Sequence, residues 1–145
     1  MPRMIFPNLA VKDLDRSVAF FTELGFEFNP QFTDDTATAM IVNEQAVVML
    51  LTEARFKDFT RKELVDPTEQ TEAIIALSAD SREDVDAFAD KALAAGGSPA
   101  NDPMDLGFMY ARSFDDPDGH RWEMVWMDPA ALEQGSDVRA GKTSA

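Results

Sequence analysis

Apolar residues in the first half of the chain switch between two spacings, one typical of strands and one typical of helices. Alternation of apolar and polar residues predicts strands at 4–11, 26–29, 36–42 and 46–52. Between the first two strands, helical spacing is shared by four apolar residues, Leu14, Val18, Phe21 and Leu24. Asp13 is a good N-cap for this helix, and Gly25 ends it. A short helix at 53–59 and a polar connection at 60–70 complete this half.

The second half repeats this order of elements. A strand is predicted at 72–79, followed by a helix that Asp80 or Ser81 caps. The apolar stripe of this helix consists of Val85, Phe88, Ala92 and Ala95. Pro99 and Pro103 prevent the next segment from forming a regular central strand. Further strands are predicted at 108–114 and 121–127.

Each half therefore has the order strand, helix and three strands, which is a βαβββ unit. One helix covers one face of each sheet, so a lone unit would leave its other face without a partner. The fold class predicted is α+β, with a single domain at 1–130 made of two modules at about 3–59 and 71–128. Residues 131–145 form a polar C-terminal tail.

The last predicted strand carries the most unusual residue of the chain. It follows a tight Asp-Pro-Asp-Gly turn, and Glu123 is its one carboxylate among apolar residues. Strand alternation puts Trp122, Met124 and Trp126 on one face, which predicts that the two tryptophans pack in the core beneath the helices. Glu123 lies on the other face, with Arg121. A carboxylate that faces an interior must be paired, protonated or bound to a cation. Glu123 is either an ordinary partner of Arg121 or another base in a wet cleft, or a functional acid.

Composition narrows the class of protein. The chain has 145 residues and is 45% hydrophobic, enough for one domain with a real core. No apolar run approaches the roughly 18 residues that would span a membrane, and the start does not resemble a secretory signal. The absence of cysteine excludes disulfides and thiolate chemistry, and a cytoplasmic location is the simplest expectation. The net charge of −14 argues against binding to nucleic acid or anionic lipid and could attract a cationic ligand.

Two motifs combine with the repeated unit to indicate a family. They are LAVKDLDRS at 9–17, followed by Phe20 and Phe21, and DPDGHRWE at 116–123. Together they resemble the vicinal oxygen chelate superfamily, the group of glyoxalases, bleomycin-resistance proteins and extradiol dioxygenases, over about residues 3 to 128. The resemblance implies that the two modules pair into a mixed-sheet cleft or half-barrel around a small-molecule cavity. It also implies a homodimer, because many relatives complete or share their clefts between chains.

The resemblance carries an expectation about metal. Metal-dependent members hold a divalent ion on the cavity faces of four strands, commonly with His or Glu. The corresponding positions in this chain are Phe6, Leu50, Ile74 and Glu123. Three of these are apolar, and the only histidine, His120, lies in the turn and at none of them. Because a catalytic divalent ion needs several protein ligands, we expect no metal cofactor; an atypical ion at Glu123 is the alternative.

The same alternation predicts which side chains line the cavity. The predicted lining is Phe6, Asn8, Val48, Leu50, Thr52, Ile74, Ser78, Arg121, Glu123 and Val125. Apolar walls with a few polar groups are typical of small-molecule sites, although large apolar side chains could also fill the space. Tyr110 and Arg112 are further ligand-binding candidates, on a strand face that the sequence leaves open. His120 is interpreted as a turn residue rather than a general base.

Two classes of function agree with these patterns. The first is a metal-free binding module that sequesters a small hydrophobic or cationic molecule, as bleomycin-resistance proteins do. The second is a glyoxalase- or dioxygenase-like enzyme, with Glu123 as its catalytic residue and with an atypical metal site or none. The missing metal ligands favour the binding module. Glu123 matches one of the four ligand positions, so the enzyme remains the alternative.

Overall fold

The alternating strands of the first half form a four-stranded sheet in the computed structural model, which describes residues 3–131. The elements of this half are β1 (Asn8–Val11), α1 (Leu14–Glu23), β2 (Glu27–Asn29), β3 (Ala37–Asn43), β4 (Ala46–Thr52) and α2 (Glu53–Lys57). The strand order is β1-β4-β3-β2, with β1 parallel to β4 and the other pairs antiparallel. The side chain of Asp13 accepts a hydrogen bond from the backbone of Arg16, which confirms the predicted N-cap of α1.

The second half forms a sheet of the same order. Its elements are β5 (Ile74–Ser78), α3 (Arg82–Ala94), β6 (Ser98–Pro99), β7 (Met104–Asp105), β8 (Met109–Asp115) and β9 (Arg121–Met127). The order is β5-β9-β8-β6, with β5 parallel to β9 and with β7 also paired to β8. Ser81 is the N-cap of α3, which decides between the two candidates. The two mixed sheets do not close into a barrel, and the α+β prediction with two repeated modules is confirmed.

Prolines limit the first strand and the short edge strands of the second sheet. β1 begins at Asn8 rather than at residue 4, and before it only Ile5 forms an isolated bridge, to Ala46. Pro7 has no N–H to continue the ladder, so the regular pairing starts after it. In the second half, Pro99 and Pro103 restrict β6 and β7 to two residues each at the edge of the sheet. The tail predicted from residue 131 lies outside the described residues, apart from Ala131 itself.

The core lies on one face of each sheet, together with the two long helices. Aromatic side chains join the two modules, since the Phe21 ring lies 5.0 Å from that of Trp122 and the Phe26 ring lies 5.9 Å from that of Phe88. Trp122 is 1% exposed, which confirms its prediction as a core residue. Trp126 is half-buried against this core, and the guanidinium of Arg82 covers its ring. Neither long helix covers the opposite, outer face of either sheet. The short helix α2 lies over one end of this face in the first sheet, where Phe56 lines a pocket with Asn8 and Leu51.

Candidate functional site

Pairing between β1 and β4 decides which side chains reach the outer face of the first sheet. Asn8 lies beside Met49 and Leu9 lies beside Leu50. Leu9 and Leu50 are 4% and 0% exposed and belong to the core. Residues that share a parity in a strand share a face, so Met49 accompanies Asn8 on the outer face.

The prediction that Leu50 lines a cavity is therefore wrong. Val48 lies on the same inner face and is equally buried, so its assignment is wrong too. Thr52 pairs with Val11 of the core, and its hydroxyl accepts a hydrogen bond from the backbone of Arg55 as the N-cap of α2. The physical reason is that β4 is apolar at both parities, so alternation along it could not show which set faces the helix.

Phe6 lies in an open groove on the outer face of the first sheet, with a volume of about 350 Å³. The groove is lined by Met4, Phe6, Asn29, Phe32, Ala39, Ile41, Val47 and Met49. Asn29 contributes the one amide among these side chains, and the rest are apolar. Phe6 and Phe32 are 51% and 61% exposed, so large apolar surfaces face outward here. Asn8 lies on the same face, and its amide donates to the carbonyl of Phe6.

Glu123 lies on the outer face of the second sheet, with Ile74 and Arg121 on the same face as predicted. Arg121 does not pair with it, because the Arg121 Nε donates instead to Asp115 at 2.6 Å. Among residues 3–131, no side-chain hydrogen bond or ion pair of Glu123 is formed. A shallow depression of about 50 Å³ surrounds it, lined by Asn101, Asp102, Met104, Ala111, Arg112, Ser113 and Glu123. The side chains of Phe6 and Glu123 thus lie in separate surface features of the chain.

Tyr110 and Arg112 belong to the opposite, inner face of the second sheet, which is the face that the sequence left open. The Tyr110 hydroxyl donates to Asp86 of α3 at 2.7 Å, and the Arg112 guanidinium donates to Asp86 and Asp90 at 3.0 Å each. The hydrogen bond from Tyr110, with Arg112 beside it, lowers the pKa of the Asp86 carboxyl. These two side chains fasten the helix to the sheet. The partner acids, four residues apart on α3, were a signal that the sequence analysis did not use.

The turn after β8 connects the two modules, a role that the sequence analysis missed. Asp118 is buried, with 4% of its surface exposed. It accepts hydrogen bonds from the backbone of Lys12 at 2.9 Å, from the Arg16 guanidinium at 3.2 Å and from the Ser17 hydroxyl at 3.2 Å. All three donors belong to the first motif, LAVKDLDRS at 9–17. The two motifs are thus halves of one structural contact, far apart in sequence.

Asp116 organises the same turn from within. Its carboxylate accepts from the backbone of Asp118 and of His120 at 3.0 Å each, and from the Trp122 indole at 3.0 Å. Burial raises the pKa of the Asp116 carboxyl, against the effect of the nearby His120 and of these donors. The turn therefore positions the core tryptophan directly.

His120 is buried, with 5% of its surface exposed, and both of its ring nitrogens have an oxygen partner. Nδ1 lies 2.5 Å from a carboxylate oxygen of Glu72, and Nε2 lies 2.6 Å from the carbonyl oxygen of Ala10. Burial lowers the pKa of the imidazole, but Asp116, the Ala10 carbonyl and Glu72 outweigh burial, so the pKa of His120 is raised. His120 is more than a turn residue, because it joins the turn between β8 and β9 to β1 and to the segment before β5.

Comparison with known proteins agrees with this arrangement. The model of the Glyoxalase/Bleomycin resistance protein/Dioxygenase superfamily matches residues 4–124. The chain belongs to this superfamily. A hypothetical protein from S. aureus has 30% identity and a TM-score of 0.73, over 87% of this chain and 95% of that one. No curated protein matches the chain.

Two further solved structures share the fold at lower identity. A glyoxalase/bleomycin resistance protein/dioxygenase family enzyme from Burkholderia phytofirmans PsJN has 14% identity and a TM-score of 0.72, over 87% of this chain and 99% of that one. A genomically encoded fosfomycin resistance protein from Listeria monocytogenes has 18% identity and a TM-score of 0.63, over 90% of this chain and 97% of that one. At these identities the likeness concerns the fold alone.

The residues present do not fit a divalent metal ion of the kind that superfamily members hold. Met49 lies on the outer face where Leu50 was expected. The four positions that correspond to metal ligands in metal-dependent members are therefore Phe6, Met49, Ile74 and Glu123. A thioether and two hydrocarbon side chains offer no ligand for a hard cation, and one carboxylate is too few. Within residues 3–131, no three His, Cys, Asp or Glu side chains converge on one point.

Proposed function

We propose that this protein binds a small hydrophobic or cationic molecule without a metal ion, in a cavity that a second copy of the chain completes. The observation that carries the proposal is the apolar groove beside Phe6 and Met49, at positions where a metal-dependent relative would need ligands. Apolar walls with few polar groups are typical of sites for small organic molecules. The net charge of −14 favours a cation over an anion as the charged form of the ligand.

A homodimer explains two features that a single chain leaves open. The groove contains no residue of the second sheet, and Glu123 lies in a depression of its own. Large apolar side chains are also exposed on or beside the second sheet, namely Ile74, Met104, Leu106, Phe108 and Met127. Exposed apolar patches of this kind mark interfaces. Pairing the first sheet of one chain with the second sheet of its partner would bury the apolar groove of the first sheet against these exposed side chains of the second. It would also bring Glu123 to the groove.

A cytoplasmic location and the absence of nucleic-acid or membrane partners are part of the same proposal. The negative charge opposes both phosphate backbones and anionic lipids. None of the helices within residues 3–131 is long and apolar enough to cross a bilayer.

Binding of two dyes tests the charge preference. We expect the chain to bind the cationic dye thioflavin T and the neutral dye Nile red, and Phe6→Ser to weaken both. Glu123→Gln should weaken thioflavin T about tenfold, the effect of losing about 1.4 kcal/mol of attraction, and leave Nile red within about twofold. Glu23→Gln on α1 is the matched control and should change neither. If Glu123→Gln and Glu23→Gln change the affinity for thioflavin T equally, Glu123 does not belong to the binding site.

Sedimentation velocity tests the homodimer, and titration calorimetry tests whether the protein binds a metal ion. The wild type should sediment as a dimer, and Phe108→Glu should shift it to monomer, because a charge in a buried apolar contact is strongly unfavourable. A wild-type monomer that keeps its dye affinity would refute the shared cavity and leave the binding function standing. Titration with Zn²⁺, Ni²⁺, Mn²⁺ and Fe²⁺ should detect no one-to-one site. A site that Glu123→Ala abolishes would overturn the metal-free proposal.

Glu123 itself supports the second function, an enzyme of the superfamily that uses this carboxylate as a general base. The supporting observation is that its carboxylate forms no side-chain hydrogen bond or ion pair among the described residues and so stays available to a bound molecule. In that case Glu123→Gln should abolish turnover of a substrate while its binding survives. In a sequestering protein no turnover would exist to lose.

A further inference from the structure

Residues 61–72, between α2 and β5, are attached to the rest of the protein by very little hydrogen bonding. The segment forms local turns, such as that of Asp66, whose carboxylate accepts from the backbone and the hydroxyl of Thr68. Apart from a local bond from the Lys62 N–H to the Thr60 hydroxyl, the contact between Glu72 and His120 is the one hydrogen bond in the described chain that joins this segment to residues outside it. Most of its side chains are exposed. A segment with so few buried contacts is expected to open far more easily than the core.

The same segment covers a pocket of about 140 Å³ against β1 and α2. Its apolar walls include Leu9, Phe56, Leu64 and Val65, and Glu72 and His120 also line it. Asn8 and Ala10 also line it, so the pocket continues the outer face of the first sheet. The segment is therefore placed as a cover at one end of that face.

His120 fits its two partners in only one charge state. A neutral imidazole has a single N–H, whereas both the Ala10 carbonyl and an ionised Glu72 require a donor. The imidazolium satisfies both, at 2.6 Å and 2.5 Å. Loss of its proton would turn a ring lone pair toward an oxygen lone pair and break one of the two contacts.

We propose that His120, Glu72 and the Ala10 carbonyl form a pH-sensitive latch, which holds residues 61–72 over this pocket and releases them when the imidazolium loses its proton. Close packing supports the position of the latch, because a Cβ at Gly119 would lie 2.8 Å from the carbonyl oxygen of Pro67. The segment thus meets the β8–β9 turn directly beside His120.

The surrounding charges determine the direction of the switch. The charged groups near the ring are Glu72 and Glu63 of the segment, Asp116 and Asp118 of its own turn, and Lys12 and Arg16 of the first module. The pKa of His120 is raised, so the latch is fully formed below the ordinary histidine value of about 6.5. It is lost as the pH rises through the raised value.

The single histidine makes the latch measurable by NMR in the full chain without an affinity tag. The ring nitrogens report the charge of His120, and amide exchange of residues 61–72, divided by the intrinsic rate, reports opening between pH 6 and 9. We expect the ring to titrate above 6.5 and the protection of the segment to fall in the same step. Glu72→Gln should lower the midpoint by about one pH unit, a tenfold loss of proton affinity.

Glu69→Gln is the matched control, since it removes a carboxylate from the same segment without touching the ring, and it should leave the midpoint unchanged. His120→Gln should show the open exchange rate at every pH. The proposal fails if the ring is neutral at pH 6 or if protection stays constant while the ring titrates. It also fails if Glu69→Gln and Glu72→Gln shift the midpoint equally, and this comparison remains decisive if His120→Gln does not fold.

Discussion

Replacing Asp118 with Ala should test whether the second motif acts as a structural contact between the modules. The change removes a buried carboxylate and leaves the Lys12 N–H and the Ser17 hydroxyl without an acceptor. A buried donor left unpaired costs about 1–3 kcal/mol, so the two donors predict a loss of about 2–6 kcal/mol of unfolding free energy, toward the lower end because the bond from Lys12 is only part-buried. Arg16 adds little, because its side chain is 47% exposed and such pairs contribute less than about 1 kcal/mol.

Urea unfolding followed by tryptophan fluorescence measures this loss, at one fixed protein concentration so that any association is held constant. Asp118→Asn keeps one acceptor oxygen and should lose only about 1–2 kcal/mol. Arg16→Ala is the control and should stay within about 1 kcal/mol of wild type. If Asp118→Ala loses no more than Arg16→Ala, with an unchanged denaturant slope, the turn does not hold the modules together and the reasoning is refuted.

Three further changes probe the core, the turn and the edge of the second sheet. Trp122→Ala should lose about 3–5 kcal/mol of unfolding free energy, as large truncations in cores do, and a loss below about 1 kcal/mol would place it at the surface. Gly119→Ala should destabilise more than Gly25→Ala in thermal unfolding, because both have positive φ but only Gly119 has a backbone carbonyl 2.8 Å from the added Cβ; equal losses would contradict the close contact. Arg82→Ala should speed amide exchange in β7, whose Asp105 it binds at 2.8 Å. Since this pair and its hydrogen bonds lower the pKa of Asp105 to about 2, the wild-type anchor should persist to near that pH and be lost only as the pH falls through it.

Much of the fold could be predicted from the sequence, because local physical chemistry determines it. Helical spacing and the capping residue Asp13 define α1, and alternation around Trp122 and Met124 gives the correct inner face of β9. The element order revealed the repeat, and the two motifs indicated the superfamily that the comparison then established. Prolines at the right places also predicted the weak edge strands of the second half.

Only the tertiary structure decided which residues share a surface. β4 is apolar at both parities, so its face depends on pairing with β1, and this pairing moves Leu50 into the core and Met49 outward. Tyr110 and Arg112 sit on the helix face because Asp86 and Asp90 are there to bind them. The roles of Asp118 and His120 depend on partners more than 40 residues away, and such partners become neighbours only when the chain folds.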